Sequence, residues 1–371
     1  SNKMACCAYL RLACWVLVLA LALPSATSFV VSPSHRFNQR TFARPQRWNC
    51  RQALRMQVWS NQQAIEEYQD LLSGKAMEDR ADVPSVIIGQ GRVGELMKAG
   101  GSGEDVMLGR GGMIPPEVDG NRDFPIYVCV PNDEVENIIR SCPVEKLDDL
   151  VFMQSGMLEP VLKKYALCGN DNTQLNPIFW QYDVGSRPQQ ALTDMGPDSF
   201  GVTKYAGETT VCGKWSGAVV QRLKRHNLDC KRLYYRDWRR TMIEKTIFDS
   251  VFNLIGVLHD GQTLGEVGLY YRGEVEDMLY EINQGLRGHM AVTLLFGVEE
   301  RLFAHAQHQN VEWRPAKMEN FKWRNGFLYA ISKQCFENDF PDPMRMHTQY
   351  LEYAKEKGFC DFDLEPYSPY T

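Results

Sequence analysis

The sequence lacks the cysteine spacing of a metal site or a disulfide framework. It has eleven cysteines in 371 residues, and no two of them stand in a C-x-x-C arrangement. Zinc sites and small disulfide-rich folds are built on regular spacings, which scattered cysteines do not provide. The pattern argues against both, and we expect most of the seven cysteines after residue 65 to be small core residues.

The sequence also lacks the H-E-x-x-H motif of zinc-dependent hydrolases. His305 and His308 stand three residues apart in a stretch that reads as helix, and His289 is nearby. Two histidines at this spacing could share a metal ion, but no carboxylate-rich pattern accompanies them. We favour surface or hydrogen-bonded helix histidines and predict no metal site.

Only one long apolar run is present, near the start of the chain. It extends from Ala13 to Leu23, after the basic Arg11, and is followed by Pro24 and four small residues. The run is too short to cross a bilayer comfortably, and small residues after a helix breaker are typical of a cleavage site. We predict a signal peptide over residues 1–28, in preference to a membrane anchor, and a processed chain that does not span a membrane.

No acidic residue occurs before Glu66. Between Phe29 and Ala64 the chain has six arginines and scattered Ser and Thr, which is the composition of an organelle transit peptide. Behind a signal peptide, a stretch of this kind that begins with Phe resembles the bipartite leaders of algae with complex plastids. We therefore predict a transit peptide over residues 29–65 and a plastid (chloroplast) protein, in the stroma or at the periphery of the thylakoid.

The region after residue 65 is strongly acidic. Eight of the 41 basic residues and none of the 46 acidic residues precede Glu66, so the remainder has a formal net charge of −13. Such a protein is poorly suited to neutralise phosphates, and we predict no nucleic-acid partner, although a basic run like that of the leader can bind nucleic acid. The remaining length suits two domains.

A glycine motif follows the first apolar segment of this region. Residues 85–88 read as a short buried strand that runs directly into a G-x-G-x-x-G motif, after which residues 95–98 can begin a helix. The glycines allow a tight turn, close approach of a pyrophosphate and close packing of helix on strand. The strand before and the helix after favour a dinucleotide loop over an ordinary glycine-rich turn. The predicted cofactor-binding residues of this loop are Gly89, Gln90, Gly91, Arg92, Val93 and Gly94.

Arg110 stands where the second strand should end, after the short apolar segment 105–108. An Arg at this point can neutralise a ribose 2′-phosphate, which favours NADP. The segment from Gly94 to Asp105 is short, which predicts a first crossover helix of about two turns. Further strands at 126–130 and 150–153 alternate with helical stretches. This alternation predicts an α/β domain with a Rossmann-type, doubly wound parallel sheet over residues 66–235.

From residue 236 onward the chain reads as mostly α-helical. In residues 241–255, apolar side chains share one helix face, and Lys245, Asp249 and Asn253 form a polar stripe at i, i+4 and i+8. From spacing alone such a stripe is typical of an exposed face with an i, i+4 ion pair. We predict a helical substrate or interaction domain over residues 236–371.

The stretch 245–254 resembles the signature helix of the ketopantoate reductases. In that family a Lys is followed at i+4 and i+8 by Asn. The turn at 261–266 and the Asn-Gly at 325–326 resemble later family motifs, so that the resemblance covers roughly residues 84–357 in the family's order. It implies a Rossmann-type NADP domain, a second domain like the carboxyl-terminal one of 6-phosphogluconate dehydrogenase, and reduction of a small 2-keto acid. It further implies that Lys245 is the general acid and that Asn253 contacts the substrate.

The sequence departs from the family at several of its motif positions. Pro131 stands where the family has Lys, Ser155 and Asp249 where it has Asn, and Asn320 where it has an acid. Glu319 is one residue before that last position, an offset that turns a helical side chain by about 100°. Glu319 is the third catalytic candidate, beside Lys245 and Asn253.

Two functions therefore stay open. One is an NADP-dependent 2-keto acid reductase, in which burial lowers the pKa of Lys245 toward that of a proton donor while Asp249 favours its charged form. Arg324, Lys322 or Arg239 could then bind the substrate carboxylate. The other is a Rossmann protein without catalysis that serves as an accessory subunit of a plastid assembly, at the thylakoid or a photosystem. The fold alone does not decide between them.

Overall fold

The structure is a computed structural model that describes residues 80–109, 111–169, 172–180, 184–190 and 209–360. The predicted leader, residues 1–65, and Arg110 lie outside these residues. The predictions of signal peptide, transit peptide and NADP selection therefore stay predictions from sequence.

The strands of the described residues are short. They are β1 (Val86–Ile88), β2 (Val106–Leu108), β3 (Ile126–Val128), β4 (Leu150–Phe152), β5 (Thr173–Asn176), β6 (Phe179–Trp180), β7 (Gln189–Gln190), β8 (Thr209–Cys212) and β9 (Cys230–Arg232). Seven of them form one sheet in the order β2-β1-β3-β4-β5-β8-β9, and β6 and β7 form a separate hairpin. Strands β1 to β5 are parallel, and β8 joins β5 in antiparallel register.

Among the described residues, four helices pack on the sheet and six form a helical region after it. The first set is α1 (Arg92–Ala99), α2 (Val135–Ser141), α3 (Glu159–Lys164) and α4 (Ser216–Arg225). The second set is α5 (Tyr235–Leu258), α6 (Leu264–Tyr270), α7 (Arg272–Met290), α8 (Val298–Ala306), α9 (Asn325–Glu337) and α10 (Arg345–Glu356). The predicted fold class, a Rossmann-type sheet followed by a mostly helical region, is confirmed.

Both faces of the sheet are buried. In β1, Val86 and Ile88 belong to one apolar cluster with residues of α2 and α3, while Ile87 belongs to a second cluster with residues of α1 and α4. Successive strand residues point to opposite faces, so a strand covered by helices on both sides needs a continuous apolar run. This is why the short run before the glycine motif is a strand.

The first crossover is as short as the sequence predicts, because α1 has eight residues. A buried arginine of α4 holds the segment between α1 and β2 in place. Arg222 donates to Asp105 Oδ1 at 2.8 Å and to the Met97 carbonyl oxygen at 3.0 Å, and it also pairs with Asp82. The antiparallel extension by β8 and β9 has no counterpart among the sequence predictions.

Helix α5 begins where the sequence predicts the second domain, and its 24 residues form the axis of the helical region. An ion pair joins its first half to α3, because Arg239 donates to both carboxylate oxygens of Glu159 at 2.6 and 2.9 Å. Sheet and helices belong to one compact unit, so the division at residue 235 stays a prediction. Among the helices of the described residues, none is both long and apolar enough to cross a membrane.

Candidate active site

The glycine motif lies at the carboxyl end of β1, and its backbone needs glycine at two positions. Gly89 has a φ of +111°, and a Cβ there would lie 2.4 Å from the Cys129 carbonyl oxygen at the end of β3. A Cβ on Gly94 would lie 1.9 Å from the Gly89 carbonyl oxygen. By contrast, a Cβ on Gly91 would meet no atom within 4 Å. The first and last glycines thus serve the turn and the packing of α1, and the middle one borders open space.

The open space faces the amino end of α1. Gly91 and Arg92 are exposed there, and the first backbone N–H groups of a helix have no partner within it. The site also lies at the switch point of the sheet, between β1 and β3, where doubly wound sheets bind their ligands. These residues fit the phosphates of a dinucleotide. Gln90 and Val93 belong to the same loop, with Gln90 exposed and Val93 half-buried.

A second turn at the same edge of the sheet follows β4. Gln154 donates both amide hydrogens of Nε2, to the carbonyl oxygens of Val128 and Val130, at 2.8 and 2.9 Å. Asn132 Nδ2 holds the Ser155 carbonyl oxygen at 2.9 Å. The backbone of this turn is therefore fixed against the end of β3, and it presents the Ser155 side chain to α5.

The same turn contacts the start of α9. Gly156 has a φ of +101°, and a Cβ there would lie 2.9 Å from the Trp323 carbonyl oxygen. The Met157 N–H donates to that same oxygen at 2.8 Å. Two segments far apart in sequence thus meet through their main chains beside Ser155.

Lys245 of α5 reaches this turn. Its Nζ lies 3.1 Å from Ser155 Oγ and 2.7 Å from Asp249 Oδ2, and its side chain is 15% exposed. Burial lowers the pKa of the ammonium, and the Arg324 and Arg314 cations add to the effect, although Asp249 opposes it. Lys245 is therefore a buried cation that gives up its proton more readily than an exposed lysine.

Arg324, at the start of α9, completes the cluster. Its Nη2 lies 3.1 Å from Asp249 Oδ2, the oxygen that Lys245 also contacts. Burial opposes the charge of Asp249, but the Arg324 and Lys245 cations outweigh it and lower the pKa of that carboxyl. Arg324 Nε is buried without a hydrogen-bond partner among the described residues. Asp249 thus pairs with two cations, so the cluster has a net positive charge. This charge and the unpartnered Arg324 N–H both favour the binding of an anion.

His305 of α8 lies at this cluster, and the prediction of a surface or hydrogen-bonded helix histidine is wrong for it. Its ring packs edge-on against Phe248, and its Nδ1 is buried without a partner among the described residues. Burial lowers the pKa of His305 to about 3, and the Lys245 cation adds to the effect. The imidazole is therefore neutral near pH 7. Its place on a helix face was visible in the sequence, but its neighbours were not. The described residues contain no cluster of three metal-ligating side chains.

The other two catalytic candidates are placed differently. Asn253 lies one turn beyond Asp249, but both ends of its amide are engaged, since Nδ2 donates to the Asp249 carbonyl oxygen and Oδ1 accepts the Lys317 N–H, each at 2.8 Å. The side chain thereby anchors the segment that leads to Arg324. Glu319 is exposed, and its side chain makes no hydrogen bond or ion pair with any described residue, although its N–H donates to the Lys317 carbonyl oxygen at 2.9 Å. The structure therefore joins Lys245 with Asp249 and Arg324 and leaves Glu319 apart.

Of the three cations considered for a substrate carboxylate, only Arg324 lies at the cluster. Arg239 is held by both oxygens of Glu159. Lys322 is exposed, and its ammonium lies 4.9 Å from the centre of the Trp323 ring.

Comparison with known proteins identifies the fold of this chain. No family profile and no curated protein match the chain. The 2-dehydropantoate 2-reductase (ketopantoate reductase) of Methylococcus capsulatus matches with a TM-score of 0.50 at 14% identity, over 76% of this chain and 99% of that one. The chain has the fold of the ketopantoate reductases.

Two further solved structures are similar. A D-mandelate dehydrogenase solved with NADH has a TM-score of 0.49 at 13% identity, over 75% of this chain and 100% of that one. The 2-dehydropantoate 2-reductase of Geobacter metallireducens has a TM-score of 0.44 at 16% identity, over 72% of this chain and 94% of that one.

The departures from the ketopantoate reductase pattern have local physical reasons. Asp249 and Ser155 are the contacts of Lys245. Asn320, where the family has an acid, adopts a φ of +52° before the short 3-10 helix Phe321–Trp323. Asn tolerates this left-handed conformation better than most residues. Pro131 precedes a second 3-10 helix, Asn132–Glu134, whose first residue holds Ser155.

Proposed function

We propose that this protein is an NAD(P)-dependent reductase of a small 2-keto acid. The observation that carries the proposal is Lys245, a buried ammonium of lowered pKa that lies against Ser155 at the carboxyl edge of the sheet. The glycine loop opens at the same edge. A proton donor and a dinucleotide cradle in one cleft are what carbonyl reduction requires.

The loop from Gly89 to Gly94 would hold the cofactor. Its middle glycine borders open space, which leaves room for a pyrophosphate beside the amino end of α1. A bound reduced nicotinamide supplies the hydride. A preference for NADP rests on Arg110 in the sequence.

The cluster on α5 and α9 would handle the substrate. Lys245 Nζ holds the proton that the carbonyl oxygen needs, and burial favours its release. Asp249 keeps the ammonium in place across one helical turn. The Arg324 Nε N–H is buried without a partner in the part of the chain that the structure describes, and together with the charge this suits the carboxylate of a 2-keto acid.

Nucleotide binding is the first test. Purified protein is titrated with NADPH and with NADH by fluorescence, and Arg110→Ala is titrated in parallel. We expect NADPH to bind and the Arg110→Ala variant to bind it more weakly. A screen of 2-keto acids follows, with Lys245→Ala as the inactive control and Lys322→Ala as a control outside the cluster. Failure of both nucleotides to bind at millimolar concentration contradicts the proposal.

A second candidate function is favoured by the ion network on α5. Asp249 pairs with both Lys245 and Arg324, Asn253 is engaged by backbone groups, and the Glu319 side chain is exposed. A protein that has lost catalysis and serves as an accessory subunit would keep such a network for stability alone. For this candidate we expect no nucleotide binding, and a defined set of plastid proteins on purification from the native source.

We also propose that the protein acts in a plastid, on the evidence of the sequence before Glu66. The test is a fluorescent reporter fused to residues 1–65 and expressed in an alga with complex plastids. We expect plastid import for this fusion. Removal of residues 1–28 should leave the reporter in the cytosol, and reporter retained at the cell surface or in the secretory system contradicts the assignment.

A further inference from the structure

A small cavity lies between the sheet and α5, apart from the ion cluster. Its walls include Gln154 and Gly156 after β4, Gln174 on β5, and Trp238 and Met242 on α5. Trp238, Met242 and Lys245 follow at helical spacing and so share one face of α5. The cavity thus lies under the same helix face as Lys245, about one to two turns nearer the start of α5.

Three polar atoms in the walls of this cavity are buried without a hydrogen-bond partner among the described residues. They are Gln154 Oε1, Gln174 Nε2 and Trp238 Nε1. The residues are 8%, 4% and 3% exposed. A buried polar atom without a partner is costly, and folded proteins leave few of them, so three around one cavity point to a missing partner.

The chemistry of that partner follows from the three atoms. The Gln154 amide cannot be turned over without losing both of its bonds to the carbonyl oxygens of Val128 and Val130, so its oxygen faces the cavity as an acceptor. Trp238 Nε1 can only donate. An anion would be repelled by the acceptor and a cation by the donor, and an apolar group would satisfy none of them. The partner must therefore both donate and accept hydrogen bonds.

Size narrows the choice. The volume open to the centre of a water-sized sphere is about 10 Å³, which is room for one water molecule. We propose that the cavity is a binding site for a single water molecule, which bridges Gln154, Gln174 and Trp238. Such a water would link the end of β4, the middle of the sheet and α5.

The site goes beyond the proposed reductase function, because it requires neither cofactor nor substrate. Water with three protein partners is typical of buried sites in globular proteins. Here it would link the sheet to α5 just below the helix face from which Lys245 projects. It would thereby help to set the distance between that face of α5 and the sheet.

The first test is a high-resolution crystal structure of the full chain. We expect one peak of water density within hydrogen-bond distance of Gln154 Oε1, Gln174 Nε2 and Trp238 Nε1. An empty cavity, or one closed by side-chain movement, overturns the proposal.

The second test uses the sign of a stability change. Gln174→Met keeps the approximate size of the side chain but removes its N–H groups. If the water is present, the variant breaks a bond, and the equilibrium constant of unfolding in urea should rise about 5- to 10-fold. If Gln174 Nε2 has no partner, replacing it by an apolar group of similar size leaves that constant unchanged or lower, and the proposal fails. Ser332→Ala is the matched control, because Ser332 Oγ is also buried without a partner among the described residues but does not line the cavity. We expect Ser332→Ala to leave the constant unchanged or lower.

Discussion

Lys245 Nζ donates to Asp249 Oδ2 at 2.7 Å, across one turn of α5. The carboxylate holds the ammonium in its charged form against burial and the Arg324 cation. Asp249→Asn removes this support, so the pKa of Lys245 should fall further. We expect the high-pH decline of kcat/KM for keto-acid reduction to begin about 1 to 3 pH units lower in this variant. Ser155→Ala, which removes a neutral contact, should shift it less, and an unchanged profile in Asp249→Asn would mean that Lys245 is not the proton donor.

Gly91→Ala tests whether the open space beside α1 belongs to a cofactor. Gly91 has φ −85°, which any residue adopts, and its Cβ would touch no atom within 4 Å. The thermal midpoint should therefore stay unchanged. If a pyrophosphate occupies the space, affinity for NADPH should fall about tenfold or more, which is 1.4 kcal/mol by the general relation between affinity and free energy. Unchanged affinity would place the nucleotide elsewhere.

Gly156→Ala tests the close approach between the turn after β4 and Trp323. The new Cβ combines a positive φ with a contact of 2.9 Å to a carbonyl oxygen. We expect a loss of about 2 to 3 kcal/mol in the free energy of unfolding. Gly120→Ala, at φ +71° with no atom within 4 Å, carries the φ penalty alone and should lose about 1 kcal/mol. Equal losses in urea denaturation would show that the contact relaxes without cost.

Glu159 predicts an acid dependence of stability. Burial opposes its charge, but Arg239 and Lys163 outweigh burial and lower its pKa from 4.5 to about 2. A carboxyl with a lowered pKa stabilises the fold above its unfolded pKa, and the contribution disappears as the pH falls through its folded pKa. As the pH falls from 4.5 to about 2, the free energy of unfolding of the wild-type protein should fall by about 3 kcal/mol through this group.

The matching measurement is urea denaturation of Glu159→Gln across the same pH range. The variant should be less stable near pH 7, because Arg239 is left buried without its acid, and its stability should fall less steeply with acid. Glu356→Gln, at an exposed position, should keep the wild-type slope. Parallel slopes for wild type and Glu159→Gln would contradict the assignment.

Arg324→Met tests anion binding. The variant keeps an unbranched side chain out to about the position of Nε but loses the guanidinium, its charge and its N–H groups. For a 2-keto acid we expect KM to rise about 100-fold, since charged hydrogen bonds contribute about 1.5 to 3 kcal/mol each, while kcat changes less. Arg324→Lys should recover part of the affinity. A fall in kcat with KM unchanged would assign Arg324 to support of Asp249 alone.

The sheet and the glycine loop could be predicted because their signals are local. An apolar run before G-x-G-x-x-G is a strand and a turn in most settings, and the short crossover follows from counting residues. The antiparallel pairing of β5 with β8 could not be predicted, since it joins segments whose sequences carry no common pattern. Sequence likewise indicates a helix over residues 241–255 but not what covers it.

The polar stripe of α5 illustrates the limit. Spacing predicts an exposed face with an ion pair; the ion pair between Lys245 and Asp249 is present, but the side chains are only 15% and 13% exposed. These two side chains are covered by Ser155 and Arg324. Ser155 lies 90 residues before Lys245 in the sequence, and Arg324 lies 75 residues after Asp249. Helical periodicity has no information on such distant neighbours, so the burial that lowers the pKa of Lys245 was visible only in the fold.

The contact between the Met157 N–H and the Trp323 carbonyl oxygen is made by main-chain atoms alone. Replacement of the Met157 or the Trp323 side chain leaves both atoms in place, so this contact does not depend on which side chains these two residues carry. The side chains around it, Ser155, Asp249 and Arg324 among them, can then change in evolution while this main-chain contact is kept. Proteins that share this contact can therefore change substrate or role while they keep the same fold.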